Sequence, residues 1–334
     1  MPGSSGSPYA KLESTPAWKE HQQQLDAAWK KAEGSIVSGI AEFAKAELTD
    51  PHMRSLPVFY PFSGPDALTM VLEFPQSPTY FMVGLEPAGT LPTYEQIEKK
   101  DMPAYLQATR NTVASELGRS FFITRQMDHQ FRGQVTDGLL LPILHLLVRT
   151  HNTILGFRYV RLDENGRMIE RAADYHAPGR IGNKGVQVEF KGDSDASVHQ
   201  LYYFSVNLSD ERLKENKPFL TYLGGMKGVA TILKATSYMP HHRDFSIIRD
   251  NILANSAAVL QDDSGIPYRF FQPGAWKVTL YGDYRQPYGS FRWMEQADLR
   301  KAYESGAAKP LGLRMGYGYS KIASNLQLAR PATQ

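Results

Sequence analysis

Cysteine is absent from the 334 residues. That excludes disulfides, thiol nucleophiles and cysteine-ligated metals, and it is neutral about compartment. Long apolar runs are missing too: none approaches the ~20 residues that a membrane-spanning helix needs. Net charge is only +3, and no basic block, zinc-ligand spacing or helix-turn-helix signature is present. Nucleic acid is therefore not an expected partner. Gly-x-Ser-x-Gly, the phosphate-binding P-loop and His-Glu-x-x-His do not occur, so the common hydrolase, nucleotidase and metalloprotease motifs are missing. The opening MPGSSGSPYA is a polar tail without the apolar core of a signal peptide, native or a cloning remnant alike.

What is there describes a folded chain. Apolar residues make up 42% and charged ones 21%, enough for a sizeable core in one large domain or two. The most informative stretch is 56–92, LPVFYPFSGPDALTMVLEFPQSPTYFMVGLEPAGTLP. An aromatic, β-prone strand at 58–62 runs into the dense turn Ser63-Gly64-Pro65-Asp66. Asp66 is placed to cap a helix over 67–74, and Pro75 stops it. A second strand over 80–85 ends at Glu86. So short a strand–helix–strand unit predicts a parallel pair with a right-handed crossover. Ligands of such sheets sit beyond the carboxyl ends of the strands, where Ser63, Gly64, Asp66 and Glu86 stand.

Upstream, Trp18, Leu25, Trp29, Ile36, Ile40 and Phe43 recur at helical spacing. They predict an arm packed on the body of its own protein. Downstream, helices are expected over 93–117 and 137–150, the second apolar on nearly every side and carrying His145 as a hydrogen-bonded core residue. Strands are expected over 120–127, 153–162, 186–190, 199–206, 230–238 and 258–261, with a hairpin turn at 163–166. Segment 268–271 is expected to pair with 276–284, the 293–305 stretch to be helical, and the last thirty residues to be irregular. VFYPFSGPD at 58–66 parallels LYYFSVNLSD at 201–210, which predicts an internal duplication. The expected organisation is a disordered tail (1–14), a helical arm (15–50) and two α/β halves (51–192 and 193–334, the second with a C-terminal β-hairpin), within one continuous domain or two. The fold class is α/β: a mixed, largely parallel sheet of Rossmann-like strand–helix–strand units, internally duplicated, plus the N-terminal arm.

Two further constellations carry side chains fit for chemistry. Pro240-His241-His242-Arg243-Asp244, with Asp262 and Asp263, offers metal-ligating types. Neighbouring side chains on extended backbone diverge, so His241 and His242 are not expected to share an ion, and Asp244 is expected to cap the helix at Phe245. No metal or other cofactor is expected on this reading. The second is aromatic: Tyr281, Tyr284, Tyr288, Phe291 and Trp293 with Arg285 and Arg292, which would stack on a sugar or flat ring, or close a core as a β-rich lid.

Glu86 stands 22 positions after Gly64, close to the ~20 of a mononucleotide-binding half. The stretch 56–92 resembles the first motif of the class I methyltransferases, which bind S-adenosylmethionine. The resemblance implies Gly64 at the cofactor turn and Glu86 at the ribose. It departs from that pattern at Pro65 and Asp66, where the turn should be open. Over most of its length the chain also resembles a group of uncharacterised bacterial proteins through YPFSGPD at 60–66, GLEPAG at 84–89 and LQDDSGIPYRFF at 260–271. That resemblance implies an exported, periplasmic or envelope-associated place, with the cytoplasm as the alternative. Two readings follow. The first is a non-catalytic envelope protein that binds a small molecule or a protein partner. The other is a methyltransferase-like enzyme working from Ser63–Asp66 and Glu86.

Overall fold

The computed structural model describes residues 10–91, 93, 95–96, 102–119, 138–172, 184–193, 197–317 and 324–332. Its strands are β1 (Val58–Tyr60), β2 (Thr79–Gly84), β3 (Asn152–Leu162), β4 (Met168–Glu170) and β5 (Lys184–Gly192), then β6 (His199–Ser205), β7 (Val229–Leu233), β8 (Ser256–Gln261), β9 (Trp276–Gly282) and β10 (Asn325–Pro331). They form one ten-stranded sheet in the order β4-β3-β5-β6-β2-β1-β7-β8-β10-β9. The five central strands, β6-β2-β1-β7-β8, are parallel. Antiparallel strands flank them on both sides. The sheet is thus mixed, with parallel pairing confined to its centre.

The central strands read as unbroken apolar runs because both their faces are covered. Val58, Tyr60, Tyr80, Met82, Tyr203 and Ile232 point to one side. There they meet α1 (Pro16–Ala32), α2 (Ser38–Glu47), α3 (Ala67–Glu73) and, beyond α4 (Met102–Arg119), α5 (Leu140–Arg149). Phe59, Phe81, Val83, Phe204 and Leu233 point to the other side. They meet α6 (Asp210–Glu215), α7 (Lys217–Gly225) and α8 (Ser246–Asn255). Phe81 alone lies 5.4 Å from the Phe204 ring and 4.8 Å from Tyr222. Burying one such side chain is worth about 1.5–3 kcal/mol.

The N-terminal arm packs on the body as its spacing predicts, and Thr15 caps α1. A π-helical turn over Glu33–Val37, which contains Gly34, joins α1 to α2. Within the helical stretch expected over 93–117, Glu95 and Gln96 are helical and α4 runs from Met102, with Pro103 in its first turn, where a missing N–H costs least. The strand expected at 120–127 lies outside the described residues.

Three expectations change. The strand expected over 230–238 ends at Leu233, and Ala235, Ser237 and Tyr238 turn into the left-handed region with φ of 51°, 55° and 56°. The partner of β9 is β10, from the tail expected to be irregular, while Tyr268–Phe270 is a 3-10 turn. The helix expected over 293–305 starts later, as α9 (Ala297–Glu304). The strands that open the matched segments at 58–66 and 201–210, β1 and β6, lie in this single sheet with β2 between them, and β6 is the one strand of the second half set among strands of the first.

In chain order the five parallel strands run third, second, first, fourth, fifth across the sheet. The connection β1–α3–β2 uses one face, whereas β6–α6–α7–β7 and β7–α8–β8 use the other. The order therefore reverses between β1 and β7, and the connections part there to leave a crevice beyond the carboxyl ends.

Candidate functional site

The crevice is a cavity of about 280 Å³ bounded by the ends of β1, β2, β6 and β7. Its floor is built from the turn after β1. Phe62 and Gly64 take positive φ, 61° and 52°, and the Ser63 N–H bonds the Val83 carbonyl at 2.9 Å, which ties the turn to β2. Asp66 caps α3 as expected: its carboxylate accepts from the Thr69 N–H at 3.1 Å and the Thr69 hydroxyl at 2.9 Å. It also accepts from the Tyr60 hydroxyl at 2.8 Å and forms an ion pair with Lys234. The Lys234 ammonium reaches the Thr69 Oγ1 at 2.6 Å as well. One helical face further on, Glu73 is fully buried, and neither of its carboxyl oxygens has a hydrogen-bond partner among the described residues. Burial pushes it up to about 8, against the pull of Lys234 and with the charge of Asp66 adding, so it is neutral at pH 7.

Glu86 stands at the rim. Its backbone carbonyl accepts from the Tyr203 hydroxyl at 2.6 Å, and the Leu85 carbonyl accepts from Ser205 at 2.9 Å. The turn is held by its backbone, which leaves the half-buried carboxylate for the crevice. Gly84 is required here, because a Cβ would lie 2.5 Å from the Tyr203 Oη. Asn207, after β6, accepts from the Ser209 N–H at 3.0 Å and shapes the third wall. Phe62 and Phe245, with ring centroids 5.9 Å apart, supply an apolar wall.

The fourth wall is the left-handed segment after β7. Buried acids hold it: the Ala235 N–H donates to Asp262 at 2.9 Å, and the Tyr238 hydroxyl to Asp263 at 2.6 Å. Desolvation raises the pKa of both acids, and for Asp262 the neighbouring charge of Asp263 adds to it. Tyr317 bonds the Ser237 N–H at 2.8 Å and the Ala235 carbonyl at 3.1 Å, and its ring stacks on Tyr238.

Family models, curated proteins and solved structures were compared with the chain, and none matches.

The structure brings Ser63, Gly64, Asp66 and Glu86 into one crevice. Tyr281, Tyr284 and Trp293 do not line it: Tyr281 bonds Glu47 at 2.9 Å, and the Tyr284 hydroxyl accepts from the Gln296 N–H at 2.8 Å. Trp293 is 76% exposed under the Arg292 guanidinium. His241 packs edge-on against Tyr238 with its Nε2 3.2 Å from the Asp263 carbonyl, while His242 is exposed. Burial brings His241 down to about 4, so its ring is neutral. Asp244 does not cap α8. Asp210 does so from α6, accepting from the Ile247 N–H at 2.9 Å and the Ser246 hydroxyl at 2.6 Å. No group of three His, Asp or Glu side chains placed to hold a metal occurs among the described residues. The His145 Nε2 is buried without a partner among the described residues, not hydrogen-bonded as expected, and burial brings the ring down to about 4.

Sequence reasoning missed Lys234, Asn207 and Ser237. The signal available for Lys234 was its place directly after the β-prone run Val-Ala-Thr-Ile-Leu, where a parallel strand ends at the ligand edge.

Chemically, the crevice has at its rim an acid, Glu86, unpaired among the described residues, and in its floor an ion pair of no net charge. Asp66 already occupies the N-terminal end of α3, and Pro65 has no N–H to give. Phosphate is disfavoured on both counts. Hydroxyl groups facing Glu86 are favoured.

Proposed function

We propose that this is a Rossmann-like ligand-binding protein whose crevice takes a nucleoside without phosphates, S-adenosylmethionine or a relative of it. The observation that carries the reading is the position of Glu86: it lines the crevice after β2, next to the reversal point of a doubly wound sheet and 22 positions after Gly64, and its carboxylate has no hydrogen-bond partner among the described residues. It is suited to a pair of ribose hydroxyls. The Phe62 and Phe245 wall is suited to a flat base. The occupied helix end turns away the pyrophosphate that such sheets otherwise hold. The bacterial envelope resemblance favours binding without catalysis.

Methyl transfer is the second reading, and one observation favours it. Phe62, Ala235 and Ser237 are non-glycine residues at positive φ lining this crevice, and such strain gathers at active sites. Titration calorimetry with adenosine, S-adenosylmethionine, ATP and NAD tests the binding. The phosphate-free ligands are expected to bind at micromolar Kd, and ATP and NAD at least tenfold more weakly. Tighter binding of ATP or NAD overturns the reading. Transfer of a labelled methyl group to a protein or small-molecule acceptor separates the second reading from the first.

A further inference from the structure

Lys234 is the feature of this crevice that binding of a nucleoside leaves unused. Its side chain is 7% exposed and lines the cavity floor. An ammonium carries three N–H donors and no acceptor. Asp66 takes one and the Thr69 Oγ1 a second. Thr69 in turn donates its own hydroxyl proton to Asp66, so the hydrogen bonds around the Nζ have one consistent direction. The third N–H has no partner among the described residues, and Lys234 lines the cavity. Stability alone does not account for the pair, since apolar residues of similar volume commonly do as well in a core. The ammonium is also fixed from both sides: Asp66 is locked by the Tyr60 hydroxyl and the α3 N-terminus, and Ala235 next to Lys234 is held at positive φ by Asp262.

We infer that Lys234 is the floor contact for an acidic tail on the ligand, so that the crevice selects a nucleoside bearing an amino-acid carboxylate over the bare nucleoside. This rests on the nucleoside reading above and names the ligand class within it. The charges decide between tails. A phosphate dianion would meet Asp66 and Glu86 with one lysine to offset them. An amino-acid head brings its own ammonium and enters at no net charge, so its carboxylate oxygen takes the free N–H without a net repulsion.

The test compares S-adenosylhomocysteine with 5′-methylthioadenosine, which keeps the nucleoside and the thioether and lacks the amino acid. On the wild-type protein the first is expected to bind at least about tenfold more tightly, the size of one charge-assisted hydrogen bond. The double variant Lys234→Met/Asp66→Asn removes both charges together and keeps an oxygen to cap α3. It is expected to bring the two ligands within about threefold, the larger loss falling on S-adenosylhomocysteine. A second comparison needs no variant: decarboxylated S-adenosylmethionine, which loses only the carboxylate, is expected to bind the wild type about tenfold more weakly than S-adenosylmethionine. Equal binding of each pair by the wild type, or a preference that survives in a folded double variant, overturns the inference and leaves the nucleoside reading standing. No binding of either nucleoside overturns both.

Discussion

Asp66→Ala is the perturbation for which the structure changes the expected magnitude most. Read as a helix cap alone, the aspartate is worth about 1 kcal/mol. In the fold it is also the acceptor for the Tyr60 hydroxyl and the counter-charge of Lys234, with all three side chains buried. Removing it leaves an ammonium in the floor with no opposite charge beside it, a defect that costs about 3–5 kcal/mol. That is a large part of the ~5–15 kcal/mol by which a domain is stable. Urea unfolding followed by far-UV circular dichroism gives the numbers. Asp66→Ala is expected to lose about 3–5 kcal/mol. Asp66→Ala/Lys234→Met is expected to recover part of this, leaving mainly the lost cap at about 1–2 kcal/mol. The sign of the coupling is the test, because the second substitution should stabilise the first. A loss near 1 kcal/mol for Asp66→Ala, with Lys234→Met simply additive, would refute the description of the floor.

Glu73 gives a pH signature. Its folded pKa of about 8 stands above the ordinary 4.5, so the folded state keeps a proton that the unfolded chain has released. Its contribution to stability is complete below pH 4.5 and is lost as pH rises through 8. Against wild type, Glu73→Gln should gain by up to ~1.4 kcal/mol per pH unit across that window and level off above it. Parallel stability curves for the two proteins would contradict the buried neutral acid. Gly84→Ala puts a Cβ 2.5 Å from the Tyr203 Oη and pushes the phenol off the Glu86 carbonyl. It should cost about 1–3 kcal/mol in urea unfolding and weaken nucleoside binding, and a neutral result would mean that β2 has room to shift.

The floor and rim of the crevice were legible in the sequence because their signals are local. Ser-Gly-Pro-Asp marks a turn whatever surrounds it, and Asp66 caps a helix that begins at the next residue. The wall after β7 was not legible. Lys-Ala-Thr-Ser-Tyr continues a β-prone run, and its left-handed turn exists because Asp262 and Tyr317, 27 and 80 or more residues away, bond its backbone. Lys234 has its partner Thr69 165 residues upstream, so no spacing points to the pair. The aromatic cluster misled for a related reason: ring content is visible in a sequence, but the Glu47 carboxylate that takes the Tyr281 hydroxyl is not. Strand β10 lies between β8 and β9 through pairings with both, and nothing in Asn-Leu-Gln-Leu-Ala-Arg-Pro announces that place.

The central claim is that a phosphate-free nucleoside occupies the crevice with its hydroxyls on Glu86. Its most direct test is a crystal structure with S-adenosylhomocysteine, paired with titration of the same ligand into Glu86→Ala. The account predicts the ribose against the Glu86 carboxylate beyond the ends of β1 and β2, and loss of the micromolar binding in the variant. Ligand bound elsewhere on the chain, or a Glu86→Ala protein that binds as the wild type does, would contradict it.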